Sequence, residues 1–192
     1  GYCRSYPTVF ASASGARQVD EQGRSYIDFF AGAGVLNFGH NHPAMKKALI
    51  EFLEADGVAH SLDTYTTTKR DFVERFHEVV LAPRGMDHRL QFMGPTGSNA
   101  VEAAMKLARA ATGRREIVAF SHGFHGMTLG ALAATANDAF RRWAGVPLEN
   151  ILRLPFETAP GGDTALAEYA AALKDPSSGL LPPAAFLVDR HH

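Results

Sequence analysis

The chain has 192 residues, of which 46% are hydrophobic and 20% charged, a mixture typical of a globular protein. Its 19 basic and 20 acidic residues give a net charge of −1, so we expect neither nucleic acid nor a membrane surface as a partner. We also expect no membrane-spanning helix, because no apolar run reaches about 18 residues, and no signal peptide, because the start lacks a basic segment followed by an apolar one. The single cysteine, Cys3, excludes an internal disulfide and favours a reducing, cytoplasmic setting.

The first third of the chain has the pattern of a small antiparallel sheet followed by helices. The predicted strands are Thr8–Ala11, Ala16–Asp20 and Ser25–Phe30. A glycine-rich segment over residues 31–39 breaks any regular period. One helix is then predicted from Pro43 to Gly57, and a second, capped by the threonines at 66–68, continues to Pro83.

The rest of the chain alternates strands and helices, as an α/β layer does. The predicted strands are Leu90–Met93, Ile117–Phe120 and Ala184–Val188; the predicted helices are Asn99–Ala111 and one capped by Asp163. The last strand is almost wholly apolar, which is typical of a central strand covered on both faces. We therefore expect the chain to be the first part of a larger domain.

The strongest chemical signal is the segment GPTGSNAVEAAMKLAR, Gly94–Arg109. A predicted strand ends, a loop of small residues turns, and a long helix begins at once. The free N–H groups of a first helical turn, with the positive end of the helix dipole, suit a phosphate. An ordinary capped helix would have the same pattern. The segment is neither a P-loop nor a dinucleotide fingerprint, because the required lysine and glycine spacings are absent.

A second signal, SHGFHGMTLGAL, follows the next predicted strand. Ligands of open α/β sheets bind at the carboxyl ends of the strands. Phe124 could offer a ring face to a flat heteroaromatic ligand, and His125 could hydrogen-bond to it. Taken alone, Phe124 is more simply explained as a loop aromatic residue and His125 as a surface histidine. A phosphate site and an aromatic platform on successive units together favour a phosphorylated planar cofactor.

These two segments, with YIDFFAGAGVLNFGHNHP at residues 26–43, resemble the motifs of the class III aminotransferases, pyridoxal-phosphate enzymes of fold type I. The resemblance implies an α/β fold, three-layered with a mostly parallel sheet, preceded by a small antiparallel segment. It implies that residues 1–60 belong to the small domain and that residues 61–192 begin the large, cofactor-binding domain. Members are dimers with active sites shared between subunits, so a homodimer is implied.

The resemblance also implies the residues of the site. Gly97 and Ser98 would hold the phosphate of pyridoxal 5'-phosphate, with Thr96 assisting. Phe124 would stack on the pyridine ring, and His125 would lie beside it.

For the substrate, Ala33 and Gly34 match the family segment that lines the pocket. Met127 replaces an arginine that holds a substrate carboxylate in many members, and a thioether cannot replace a guanidinium. This departure favours the branch that makes diaminobutyrate, by amino transfer from glutamate to aspartate 4-semialdehyde. The substrates would then be an amino acid and an oxo-acid.

The Schiff-base lysine and the acid that pairs with the pyridinium nitrogen match no residue of the chain, so we assign no catalytic residue and expect the chain alone to be inactive. Two alternatives stay open: a non-catalytic phosphate-ligand module, and a scaffold for another phosphorylated ligand such as a nucleotide. We expect no metal site. The pair His40/His42 suits turn or capping roles better than zinc, and the pair His122/His125 has no acidic residue nearby in the sequence to complete a zinc site.

Overall fold

The computed structural model describes residues 7–189. The chain divides into two compact units, the first ending at His88 and the second beginning at Arg89. The predicted division between small and large domains at residue 60 concerns the whole family fold and stays a prediction. Among the described residues, no helix has both the length and the apolar character needed to cross a membrane.

The first unit begins with the predicted antiparallel sheet. Its strands, in spatial order, are β1 (Phe10–Ser14), β2 (Arg17–Asp20) and β3 (Ser25–Ile27). The buried carboxylate of Asp20 shapes the β2–β3 turn, since it accepts hydrogen bonds from the backbone amides of Gln22 and Arg24. The strand β3 ends before the predicted Phe30, because the Asp28 side chain accepts the next amides and bends the chain.

The first unit contains the helices α1 (Ala31–Gly34), α2 (Pro43–Glu54) and α3 (Thr67–Phe76). The helices α2 and α3 were predicted, whereas α1 lies in the glycine-rich segment, where no regular element was expected. The predicted continuation of α3 to Pro83 is not α-helical: His77–Leu81 is a π-helical turn and Ala82–Arg84 a 3₁₀ turn. Proline cannot donate to an α-helical carbonyl and its ring crowds the preceding turn, so the helix changes pitch before it ends.

The second unit is the predicted α/β layer. Its parallel strands are β4 (Ile117–Phe120), β5 (Ile151–Leu154) and β6 (Ala185–Leu187), and its helices are α4 (Gly97–Thr112), α5 (Leu129–Ala134), α6 (Asp138–Arg141) and α7 (Gly162–Ala172). The spatial order is β5-β4-β6. The core is centred on β4, whose first three residues are fully buried, and on the buried residues of α5.

Two predictions for this unit were wrong in detail. Residues 90–93 belong to neither sheet of the described chain, and a strand forms only where its backbone groups meet a neighbouring ladder. Gly161, in the left-handed conformation, occupies the N-cap of α7, and Asp163 lies in the first turn instead. Among the described residues β6 lies at an edge and β4 in the centre. The predicted central place of the last strand concerns the larger domain and stays a prediction.

The strand register decides where a ligand site can form. Phe120 of β4 lies opposite Leu154 of β5, and Ala119 lies opposite Leu187 of β6. The three carboxyl ends therefore open at one edge of the sheet, which is the edge where α/β proteins bind ligands. The loop after β4 begins at this edge, and Asp189 lies there, two residues after the end of β6.

Candidate cofactor site

The N-terminus of α4 leaves two backbone amides without a partner. Thr96 is the N-cap, and its Oγ1 accepts a hydrogen bond of 3.1 Å from the Asn99 amide. The Ala100 amide donates to the Thr96 carbonyl at 3.3 Å. The amides of Gly97 and Ser98 have no hydrogen-bond partner within residues 7–189. They are donors at the positive end of a 16-residue helix, an arrangement that suits an anion.

The helix begins at Gly97, two residues earlier than predicted, because Thr96 provides the cap. A Cβ placed on Gly97 would meet nothing within 4 Å, so the space beside the two free amides is open. We call residues 96–98 the phosphate cradle. The Thr96 hydroxyl uses its oxygen as the cap and keeps its hydrogen for another acceptor.

The loop after β4 lies directly against the cradle. The Ser98 Oγ accepts a hydrogen bond of 3.3 Å from the Met127 amide. Gly126, with a φ of 134°, packs so closely on the Ser98 side chain that a Cβ would collide with it. The two segments singled out in the sequence are therefore in contact, as the proposed site requires.

Phe124 is held at the surface of this loop. Its side chain is 51% exposed, and its ring makes an edge-on contact with Phe140 at 5.6 Å. Its amide donates to Oδ2 of Asp189 at 3.2 Å, across the carboxyl ends of β4 and β6. Sequence analysis left Asp189 without a role, and the structure places it at the backbone of the aromatic residue.

His125 is buried, not at the surface. It is 8% exposed, and its Nε2 has no hydrogen-bond partner among the described residues. Burial lowers the pKa of the imidazole, the Arg153 guanidinium adds to this, and the Asp189 carboxylate opposes it. The ring is therefore neutral at pH 7, and its unpaired nitrogen is a buried polar atom that a ligand could satisfy.

Ala33 and Gly34 belong to the first compact unit, whereas the other candidate residues belong to the second. Both are exposed and have left-handed backbones, with φ values of 57° and 86°. The Asp28 carboxylate holds the turn before them by accepting the amides of Phe30 and Ala31, both at 2.9 Å. An alanine at this φ is strained, and such strain clusters at ligand sites.

Two side chains that sequence analysis missed fix the ends of α5. The Glu102 carboxylate, on α4, accepts the Thr128 hydroxyl at 2.7 Å and the Ala131 amide at 2.9 Å, so it caps the start of α5. The Arg153 guanidinium, on β5, donates to the carbonyls of Ala133, Ala134 and Thr135 at its end. Neither partnership has a signal in the sequence, since each joins elements far apart along the chain.

With this geometry established, comparison with known proteins identifies the family. The model of the family "Aminotransferase class-III" matches residues 3–178. The chain belongs to the class III aminotransferases. The α/β fold inferred from the resemblance is thereby confirmed.

The aminotransferase chain is similar to curated proteins named diaminobutyrate–2-oxoglutarate transaminase. It is 48% identical to that of Halalkalibacterium halodurans, 52% to that of Bordetella parapertussis and 50% to that of Halomonas elongata, over 98% of its own length. It spans 44 to 45% of the length of these relatives.

Solved aminotransferases share the fold. An amine transaminase from an uncultivated Pseudomonas species, in its PLP-bound form, aligns with a TM-score of 0.80 at 22% identity, over 98% of this chain and 46% of that one. The ornithine aminotransferase of Toxoplasma gondii, with PLP at partial occupancy, aligns with a TM-score of 0.74 at 26% identity, over 97% and 42%.

Proposed function

We propose that this chain supplies the phosphate cradle and the ring-covering residue of a pyridoxal-phosphate aminotransferase. One observation carries the proposal: two helix N-terminal amides that have no partner in the described part of the chain are joined, through Ser98 and Met127, to the loop that presents Phe124. The related Pseudomonas and Toxoplasma structures are described as containing pyridoxal phosphate. The cofactor, when bound, supplies an electron sink for the charge that develops as the amino acid loses its Cα proton.

Each cradle residue has a distinct task in this proposal. The amides of Gly97 and Ser98 donate to phosphate oxygens, and the helix dipole favours the dianion. The Thr96 hydroxyl donates its remaining hydrogen. Since nothing occupies the space beside Gly97, the phosphate can approach both amides without moving the backbone.

The loop residues act on the ring. The exposed face of Phe124 covers a planar heteroaromatic group and excludes water from one side of it. His125 is neutral and buried, so it supports the loop without adding a positive charge.

For the reaction, we propose amino transfer from glutamate to aspartate 4-semialdehyde, giving 2,4-diaminobutyrate and 2-oxoglutarate. Support comes from the names of relatives about 50% identical and from the neutral Met127 beside the cradle. Ala33 and Gly34 would line the substrate pocket. A cytoplasmic homodimer completes the proposal.

The decisive experiment uses Gly97→Ala in the complete gene product. A methyl group at residue 97 would fill the open space beside the free amides, while alanine favours the helix. We expect pyridoxal-phosphate affinity to fall about tenfold or more, as for a lost charge-assisted hydrogen bond. Thermal stability should stay equal or rise.

Two matched ligands complete the test. Pyridoxal without its phosphate should bind far more weakly than pyridoxal phosphate, and adenosine monophosphate should not compete. Equal affinity for pyridoxal and its phosphate, or preference for the nucleotide, would overturn the cofactor assignment. Turnover with glutamate is then compared between aspartate 4-semialdehyde and the aldehyde of glutamate, and preference for the longer aldehyde would reject the diaminobutyrate branch.

A further inference from the structure

Thr135 is a polar side chain in the most buried part of the second unit. It follows Ala131–Ala134, all of which are buried, and is itself 0% exposed. A hydroxyl buried among apolar side chains destabilises a protein unless its hydrogen-bonding capacity is met. The partners of Thr135 therefore show what the hydroxyl does there.

The partners lie in the loop that carries Phe124. The Oγ1 of Thr135 accepts the His125 amide at 3.0 Å, and its hydrogen is within reach of the Gly126 carbonyl at 2.9 Å and the Ala131 carbonyl at 3.2 Å. One side chain thus holds the donor of residue 125 and the acceptor of residue 126.

The neighbouring backbone completes this attachment. The Ala136 amide donates to the Gly123 carbonyl at 2.8 Å. Phe124 is therefore bracketed, because Gly123 on one side and His125 on the other are both tied to residues 135 and 136. The Arg153 guanidinium in turn donates to the Thr135 carbonyl at 3.2 Å, which ties Thr135 to β5.

We propose that Thr135 is a positioning residue: its hydroxyl fixes the His125–Gly126 backbone so that the Phe124 ring is held over the cofactor. This inference rests on the proposed function. It gives a role to a residue that cannot touch the ligand, since its side chain has no exposed surface. Loss of the hydroxyl would free the loop and weaken cofactor binding without removing any contact to the cofactor.

The test compares Thr135→Val with Thr135→Ser in the complete gene product. Valine keeps the shape and loses both hydrogen bonds, whereas serine keeps the hydroxyl. We expect Thr135→Val to bind pyridoxal phosphate about tenfold more weakly and to reduce the visible circular dichroism of the bound cofactor. Thr135→Ser should restore both to within about twofold of the parent protein.

Thr112→Val is the matched control. The Thr112 hydroxyl also accepts an amide, that of Arg114 at 3.2 Å, and donates to a carbonyl, that of Ala108 at 2.7 Å, at the far end of α4. Its loss should leave the cofactor signal unchanged. If Thr135→Val retains the affinity and dichroism of the parent protein, the positioning role is rejected.

Hydrogen exchange of the parent protein tests the proposal even if Thr135→Val does not fold. In the parent protein the His125 amide should exchange at least a hundredfold more slowly than exposed loop amides, because its acceptor is buried. Exchange at the rate of an exposed amide would overturn the proposal. Failure of the parent protein to bind pyridoxal phosphate, with the His125 amide still protected, would reject the proposed function and leave the attachment of the loop intact.

Discussion

The carboxylate of Asp28 lies 2.7 Å from Nε2 of His40, and this pair joins the two sides of the glycine-rich segment 31–39. His40 is also paired through its backbone with Gly15, so the segment is fastened to the β1–β2 turn. Gln18 of β2 donates to the same carboxylate at 3.1 Å. The segment that contains Ala33 and Gly34 is thus closed as a loop by Asp28 and His40, of which sequence analysis had compared only His40 with metal ligands.

Asp28 makes stability depend on pH. The Ala31 amide, and after it the His40 side chain, lower the pKa of Asp28 below its ordinary value of 3.8. The unfolded chain therefore binds the proton more tightly, so this stabilisation is present above about pH 4 and lost as the pH falls through the folded pKa. We expect Asp28→Asn to flatten the stability curve below about pH 4 in urea titrations. His40→Gln, which spares the Ala31 bond, should keep most of the slope, and an unchanged slope in Asp28→Asn would contradict the assignment.

Relief of strain at Ala33 gives a second prediction. Its φ of 57° disfavours a side chain, so Ala33→Gly should stabilise the protein by about 0.5 kcal/mol after the entropy of glycine in the unfolded chain is deducted. Ala48→Gly, in the exposed regular helix α2, should destabilise it by about 0.5–1 kcal/mol. Both are measured by chemical denaturation. Equal destabilisation by the two changes would show that Ala33 is not left-handed in solution.

Substitution of two helix caps distinguishes an effect on stability from an effect on ligand binding. Thr96 caps α4 and Thr66 caps α3, each by accepting an amide three residues on. Replacement of either by alanine should lower stability by about 1 kcal/mol. Thr96→Ala alone should also weaken pyridoxal-phosphate binding, since only α4 carries the cradle. Fluorescence titration of both variants checks this, and equal affinities would remove Thr96 from the site.

The 192-residue chain by itself should not catalyse transamination. Its two lysines in the second unit are Lys106 and Lys174, and Lys106 lies nine residues along α4 from Gly97, about 13 Å at 1.5 Å per residue. The chain is incubated with pyridoxal phosphate, glutamate and aspartate 4-semialdehyde, and 2-oxoglutarate is measured. Many turnovers per chain would show that one of its own lysines serves the reaction.

Local patterns were sufficient to predict much of the fold. The three strands of the first sheet, the Thr96-capped helix and β4 are each specified by residues close together in sequence. The failure at Leu90–Met93 has the opposite cause, because a strand depends on a partner that the local sequence does not contain. Pro83 indicated the end of the second helix and gave no sign of the π-helical turn before it.

The sequence predicted the residues that we propose face the ligand, and it did not predict the side chains that support them. Glycines and an aromatic residue after a strand have a recognisable pattern, so Gly97 and Phe124 were singled out, and their role as ligand contacts stays a prediction. Thr135 and Glu102 act on residues 9 to 29 positions away, through contacts that only the folded chain reveals. The burial of His125 was also missed, since sequence analysis gave a surface histidine as the simpler interpretation.

The anchoring of residue 127 through its main chain has a practical consequence for redesign. Only the amide of Met127 bonds to Ser98, and its thioether side chain is 51% exposed. Any residue except proline can keep that bond, so a saturation library at this codon leaves the attachment intact while it varies the chemistry beside the cradle. If the proposed assignment is correct, the preference for the amino acceptor can be varied in such a library while the cofactor remains bound.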